Sequence, residues 1–226
     1  MESLIEGTRA QLHAHACHYF KHGGQTEPEV ALVEHDGVRI ILKDYGRTPG
    51  WFGRWIAPIL IWREVTALQR LDGLAGIPRL YRRLDRQALL MEYLPGTPLA
   101  HAQARDDSYA HLAELIAAMH ARGVAHCDLR SPSNILVDAG GRPQIVDFVA
   151  RMHMGRAWNL PWNWLFRRFC TADDSALIKH KRRYAPHLLT AAEHAADREG
   201  LPERLARRIG SGVRRLTRFL VRDTRG

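Results

Sequence analysis

Cysteine is scarce and scattered in this chain: Cys17, Cys127 and Cys170 are the only three in 226 residues. An odd number with no C-x-x-C pair excludes a disulfide framework and offers no zinc site, and it points to a reducing compartment. Long apolar runs are missing too. No uninterrupted segment approaches the roughly 20 residues that span a bilayer. The start, Met1-Glu2-Ser3-Leu4-Ile5-Glu6, lacks the basic flank and apolar stretch of a signal peptide. These absences predict a cytoplasmic protein, or one held peripherally on the cytosolic face of the inner membrane. Acidic residues are in deficit, 24 against 33 Lys and Arg, which leaves a formal charge of +9. Such a balance favours an anionic partner without choosing among nucleotide, lipid, phosphorylated sugar and nucleic acid.

What is present is concentrated between His126 and Val149. His126-Cys127-Asp128-Leu129 leads into Asn134-Ile135-Leu136-Val137, and after the turn Ala139-Gly140-Gly141-Arg142-Pro143 comes Ile145-Val146-Asp147-Phe148. Two short apolar runs joined by a Gly-Gly turn predict a hairpin. Such a hairpin brings Asn134 and Asp147 to one end of the strand pair, with Asp128 on the loop before it. An amide and a carboxylate are hard oxygen donors, which suit Mg²⁺ shared with substrate phosphates.

This stretch resembles the catalytic loop and metal-binding strand of the protein-kinase-like phosphotransferases, H-x-D-L…N-I-L…D-F-G. The resemblance implies an ATP-dependent kinase with Asp128 as the base for an acceptor hydroxyl, and with Asn134 and Asp147 as ligands of Mg²⁺. Two departures stand out. Asn134 follows Asp128 by six residues, where the pattern has five, and Val149 stands in the place of the glycine. His126 reads as a buried support for the loop rather than a proton shuttle.

Taken in order, the chain opens with a segment to about Phe20 that reads as a helix. Val30 to Val33, the Asp36-Gly37 turn and the strand Val38 to Lys43 follow. Gly23-Gly24 lacks the spacing of a G-x-G-x-x-G phosphate loop. Arg39-Ile40-Ile41-Leu42-Lys43 resembles the V-A-I-K strand, so Lys43 would meet the ATP phosphates. Leu60 to Leu71 is an amphipathic helix. By resemblance its Glu64 pairs with Lys43. Ala88 to Leu94, ended by Pro95-Gly96, resembles the hinge between kinase lobes. Met91, Glu92 and Leu94 would there meet the adenine. The fold expected is α+β and bilobal: a small β-rich N-lobe over residues 1–94 and a reduced, mostly helical C-lobe over 95–226. Asp107 to Arg122 is its scaffold helix, and Ala172 to Arg183 and Leu188 to Arg198 read as further helices.

Two segments alternate Trp with Arg: Trp51 to Trp62, and Trp158 to Phe169. Indole and guanidinium together suit a membrane interface, and the same residues would serve equally in lobe packing. The tail from Leu201 sets Leu201, Leu205, Ile209, Val213, Leu216 and Leu220 at helical spacing among arginines. That pattern suits either a C-lobe helix with a solvated face or a basic helix lying on anionic lipid.

Past Val149 the peptide-docking A-P-E segment is lacking, so the chain is similar to the atypical, minimal branch of RIO-like kinases and bacterial kinases of lipopolysaccharide core sugars. The resemblance implies ATP and Mg²⁺ as cofactors and a glycolipid or protein acceptor. A lipid-linked glycan is the first expectation. A RIO-like serine/threonine protein kinase and a pseudokinase scaffold are the alternatives, and a nucleic-acid partner is not expected.

Overall fold

The structure, a computed structural model, describes residues 2–193. It opens with two short helices, α1 (Glu2–Ile5) and α2 (Arg9–Ala14). Helix α2 starts at a capping box, in which the Thr8 hydroxyl accepts from the Gln11 amide and the Gln11 side chain accepts from the Thr8 amide. The single helix expected up to Phe20 is therefore corrected: the chain breaks at Gly7-Thr8 and turns to strand at Ala16.

Five strands follow: β1 (Ala16–Lys21), β2 (Glu29–His35), β3 (Val38–Asp44), β4 (Leu80–Arg83) and β5 (Ala88–Glu92). They form one antiparallel sheet in the order β1-β2-β3-β5-β4. The Asp36-Gly37 pair closes the β2–β3 hairpin with both residues at positive φ, 50° and 73°, as the twist of a two-residue hairpin requires. Across β3 and β5 the register pairs Ile41 with Met91 and Lys43 with Leu89. Period-two alternation then puts Ile41, Lys43, Leu89 and Met91 on one face of the sheet.

Helix α3 (Ala57–Arg70) crosses between β3 and β4 and is entered through a π-helical turn, Phe52–Ile56. It begins earlier than the periodicity of 60–71 suggests, because Pro58 in the first turn lacks only an N–H that has no partner there. Gly53 is required in that turn: a Cβ would lie 2.1 Å from the Thr48 carbonyl oxygen. The inward stripe Ala57, Ile61, Val65 and Leu68 joins Leu32, Ile41, Leu89 and Met91 in one core. That core continues into Leu112, Leu115, Ile116 and Met119 of helix α4 (Asp106–Ala121).

Beyond β5 lie β6 (Thr97–Pro98), α4, β7 (Val124–Ala125), β8 (Ile135–Val137), β9 (Pro143–Ile145) and β10 (Met152–His153). The hairpin expected around the Gly-Gly turn is β8–β9, extended by β6 to three strands; β7 pairs with β10. The last long element is α5 (Leu160–Tyr184), 25 residues, followed by a 3-10 turn at Pro186–Leu188. One helix thus replaces the expected start at Ala172. Its signal was a cap: the Asn159 side chain accepts from the Trp162 amide at 3.2 Å, and Pro161 occupies the first turn. The basic amphipathic tail expected from Leu201 lies outside the described residues, as do residues 194–198 of the helix expected over 188–198; of the rest, Leu188 ends the 3-10 turn, and helix begins only at 191.

Candidate active site

Lys43 stands near the end of β3, 4% exposed, on the sheet face that α3 covers. Its Nζ lies 2.7 Å from Glu64 Oε2 and 2.8 Å from Asp147 Oδ1. Glu64 is fully buried on the inward stripe of α3. Burial opposes the ammonium charge, but the Asp147 and Glu64 carboxylates outweigh it and hold Lys43 above the ordinary lysine range. Burial pushes the Glu64 carboxyl up while Lys43 pulls against it. The ammonium pulls Asp147 down to about 2 despite the burial there. The family resemblance pairs Lys43 with Glu64 and names Asp147 apart from them; the fold brings all three to one point.

Asp147 sits just past β9 with φ 67° and ψ 70°, in the left-handed region. That conformation costs a non-glycine residue roughly 1 kcal/mol and is held where surrounding contacts fix it. The fixing contacts are visible on the residues that follow. Arg63 of α3 donates to the Val149 carbonyl at 2.8 Å and also to the Arg151 carbonyl. Arg151, 2% exposed, donates back to the Arg63 carbonyl at 2.6 Å and reaches Thr66 and His153. Val149 lies in the 3-10 turn Phe148–Ala150, a conformation open to any residue, so the glycine of the family pattern is not needed there.

The loop from His126 to Asn134 hangs from buried groups. His126 is fully buried; its Nδ1 accepts from the Asp128 amide at 3.3 Å. The ring proton is thereby assigned to Nε2, which meets the Val146 carbonyl at 3.0 Å. His126 is a support, as its sequence context suggests. The Asn134 amide nitrogen donates to the Asp128 carbonyl at 3.1 Å and to Asp128 Oδ2 at 3.2 Å. The Val146 amide donates to the Asn134 carbonyl at 2.9 Å, one step beyond the Ile135–Ile145 pair. Asn134 and Asp147 therefore lie at the same end of the hairpin, and Asp128 is tied to Asn134 in spite of the extra loop residue.

With its nitrogen spent on Asp128, Asn134 keeps Oδ1 as an acceptor, which the Ser133 hydroxyl approaches to 3.5 Å. Asp147 gives one oxygen to Lys43 and stays about one-third exposed. One amide oxygen and one ionised carboxylate at the end of a hairpin fit Mg²⁺, which takes few protein ligands. Among the described residues there is no group of three or more His, Cys, Asp or Glu placed to hold a metal ion.

Of the residues expected at the hinge, Met91 points into the core beside Ile41. It stands two residues along β5 from the partner of Lys43, about 7 Å away by strand rise. Glu92 is tied to Arg79: its amide donates to the Arg79 carbonyl at 2.8 Å, and its carboxylate accepts from the Arg79 amide at 3.0 Å. Its side chain is thus turned from the Lys43 cluster. Leu94 follows, half-buried. Two surface cavities, of about 310 and 470 Å³, are lined by none of the residues of the cluster.

Sequence reasoning missed Asp173, in the middle of α5. It is 1% exposed and accepts from the backbone amides of His126 at 2.7 Å and Cys127 at 2.9 Å. His120 Nε2 lies 3.2 Å away. Cys127 carries φ 69° at this anchor, and burial pushes its thiol up, away from nucleophile chemistry. A second α5 residue, His180, meets the Leu129 carbonyl at 2.7 Å. The one clue in the sequence is that residues 148–172 contain no Asp or Glu and Asp173 ends that run.

A small antiparallel sheet with a lysine–glutamate pair to its helix, and a loop and hairpin that collect Asp128, Asn134 and Asp147, define a protein-kinase-like fold. The RIO domain family model matches residues 53–167. The chain belongs to the RIO domain family. Among solved structures, the Rio2 kinase from Chaetomium thermophilum in an ADP/Mg²⁺-phosphoaspartate complex is similar at 19% identity and TM-score 0.57, over 81% of this chain and 63% of that one. The Rio2 kinase of the same organism in a second crystal structure is similar at 18% identity and TM-score 0.57, over 81% of this chain and 65% of that one. The chain therefore spans less than two-thirds of the length of those kinases. No curated protein matches the sequence significantly.

Proposed function

We propose that the chain is an ATP-dependent phosphotransferase that moves the γ-phosphate to a hydroxyl. The observation that carries this reading is Lys43 bonded to both Glu64 and Asp147. A lysine so fixed presents a permanent cation to the α- and β-phosphates. The backbone of Glu92 to Leu94, with Met91 behind it, meets the adenine. Residues 1–94 form the nucleotide-binding lobe and 95–226 the lobe of the catalytic loop. Asp128, tethered by Asn134, orients the acceptor hydroxyl and takes its proton. Asn134 Oδ1 and Asp147 would hold Mg²⁺. When bound, the ion neutralises charge on the triphosphate.

For the acceptor we favour a lipid-linked sugar of the lipopolysaccharide-core type, met at the cytosolic face of a membrane. The Trp/Arg segments and the basic balance of the chain support it. A serine/threonine protein acceptor is the second reading, favoured by membership of the RIO domain family. Incubation with ³²P-labelled ATP and separated lipid, glycan and protein fractions tells them apart. Label on the glycolipid, absent with Asp128→Ala, is the expected result, and label on protein alone gives the second reading. ATP bound without transfer to any fraction overturns both and leaves a nucleotide-binding scaffold.

A further inference from the structure

Nine large apolar side chains are exposed among the described residues, and all but Phe20 fall in two segments, 55–62 and 154–164. On the outer side of α3 and its entry turn, Trp55 is 62% exposed, with Ile59 and Trp62 following at helical spacing. At the start of α5, Trp158 is 74% exposed, beside Leu160 and Trp162. Trp164 follows Leu160 by four residues on the same stripe.

These two segments are joined in space. The Arg151 guanidinium lies 5.8 Å from the Trp62 ring centroid and bonds His153. The His153 ring is 6.5 Å from that of Trp162, and its carbonyl accepts from the indole N–H at 2.9 Å. Trp162 also packs against Gly155, where a Cβ would meet its ring at 2.6 Å. The apolar groups thus form one ridge with fixed indoles, and solitary exposed residues are the ordinary case.

Charge decides what the ridge faces. Residues 46–71 hold four arginines, Arg47, Arg54, Arg63 and Arg70, and one acid, the buried Glu64 that is paired inward. Residues 148–172 hold four more, Arg151, Arg156, Arg167 and Arg168, and no acid. Arg54 and Arg168 lie over Trp55 and Trp164, at 5.7 and 5.1 Å from the ring centroids. An apolar ridge studded with indoles and rimmed only by cations complements an anionic bilayer surface, where rings enter at headgroup depth and guanidinium meets phosphate. A second copy of the chain would set arginine against arginine. A nucleic acid would stack on the indoles but has no use for Ile59, Leu160 and Met154.

We infer that this ridge, Trp55, Ile59 and Trp62 of the α3 side with Trp158 of the turn before α5 and Leu160 and Trp162 of its first turn, is a docking surface for an anionic phospholipid bilayer. The binding is independent of phosphotransfer and is read without nucleotide. The full-length protein is floated with vesicles of phosphatidylglycerol and phosphatidylcholine, and tryptophan fluorescence is followed with brominated lipids. Expected are flotation with the anionic vesicles, a blue shift with quenching by the bromines, and at least a tenfold loss of partition in Trp55→Ser/Trp158→Ser with the melting temperature kept. Partition unchanged in that variant, or no quenching in the wild type, would overturn the inference, the second without needing any variant. So would tryptophan-dependent binding to a single-stranded RNA oligonucleotide, or tryptophan-dependent self-association, with no vesicle binding.

Discussion

Asp173 of α5 accepts hydrogen bonds from the backbone amides of His126 and Cys127, at 2.7 and 2.9 Å. The residue that fixes the loop ahead of Asp128 therefore lies about 45 positions further along the chain. Its carboxylate is almost wholly out of water and satisfied by those amides and the His120 ring. Replacing it by Ala strands the His126 and Cys127 N–H groups and the partly buried His120 ring, at a cost of about 3 kcal/mol. We expect Asp173→Ala to lower the urea midpoint accordingly. Asp173→Asn, which keeps one acceptor oxygen, should lose less stability.

Lys43→Met should be worse for folding than the loss of both partners. It leaves Glu64 fully buried with no cation beside it. Unpaired buried charge costs about 3–5 kcal/mol, whereas apolar replacement of the whole pair is often neutral. The double variant Lys43→Met/Glu64→Leu is expected to be more stable than Lys43→Met in chemical denaturation, while both lose ATP binding.

Asp147 is held down to about 2 by Lys43. It stays ionised throughout the working range, so above the titration of the nucleotide's own terminal phosphate near pH 6 the magnesium dependence of ATP binding should be flat, from about pH 7.5 to 9. Calorimetric titration checks this. Asp147→Asn should abolish the magnesium dependence and lower transfer by at least 100-fold, about 2.7 kcal/mol. A steep change in wild-type magnesium dependence between about pH 7.5 and 9 would contradict the assignment.

The pH dependence of stability should follow His120. Burial alone lowers its pKa, but the bonds to Asp173 and Cys170 outweigh it and raise it to about 10 from 6.5. A raised folded pKa gives stability that is complete below about 6.5 and is lost as pH climbs towards 10. The melting temperature should fall across that window in the wild type and fall less in His120→Gln.

The centre of the fold was legible because its signals are local. The H-x-D, N-I-L and D-F spacings, the Asp36-Gly37 turn and the apolar stripes of α3 and α4 each act over a few residues. The opening was misread because β1 is an edge strand whose six residues are all at least partly exposed, with no hydrophobic alternation. It is held by pairing to β2, which its own residues do not announce. The early start of α5 was missed because the outward aromatics of its first turns face solvent, so that apolar residues lie on both sides of the helix and leave no amphipathic stripe. Asp173 was missed for a different reason: a carboxylate that bonds backbone amides 46 and 47 residues away leaves no local pattern.

Helix α5 is unbroken from Leu160 to Tyr184, and Asp173 comes thirteen residues after its start. About 20 Å of stiff rod separates the anchor of the loop from the aromatic end. A load applied at Leu160 to Trp164 is carried without a hinge, so a tilt there reaches the loop that carries Asp128 as a lever moves its far arm.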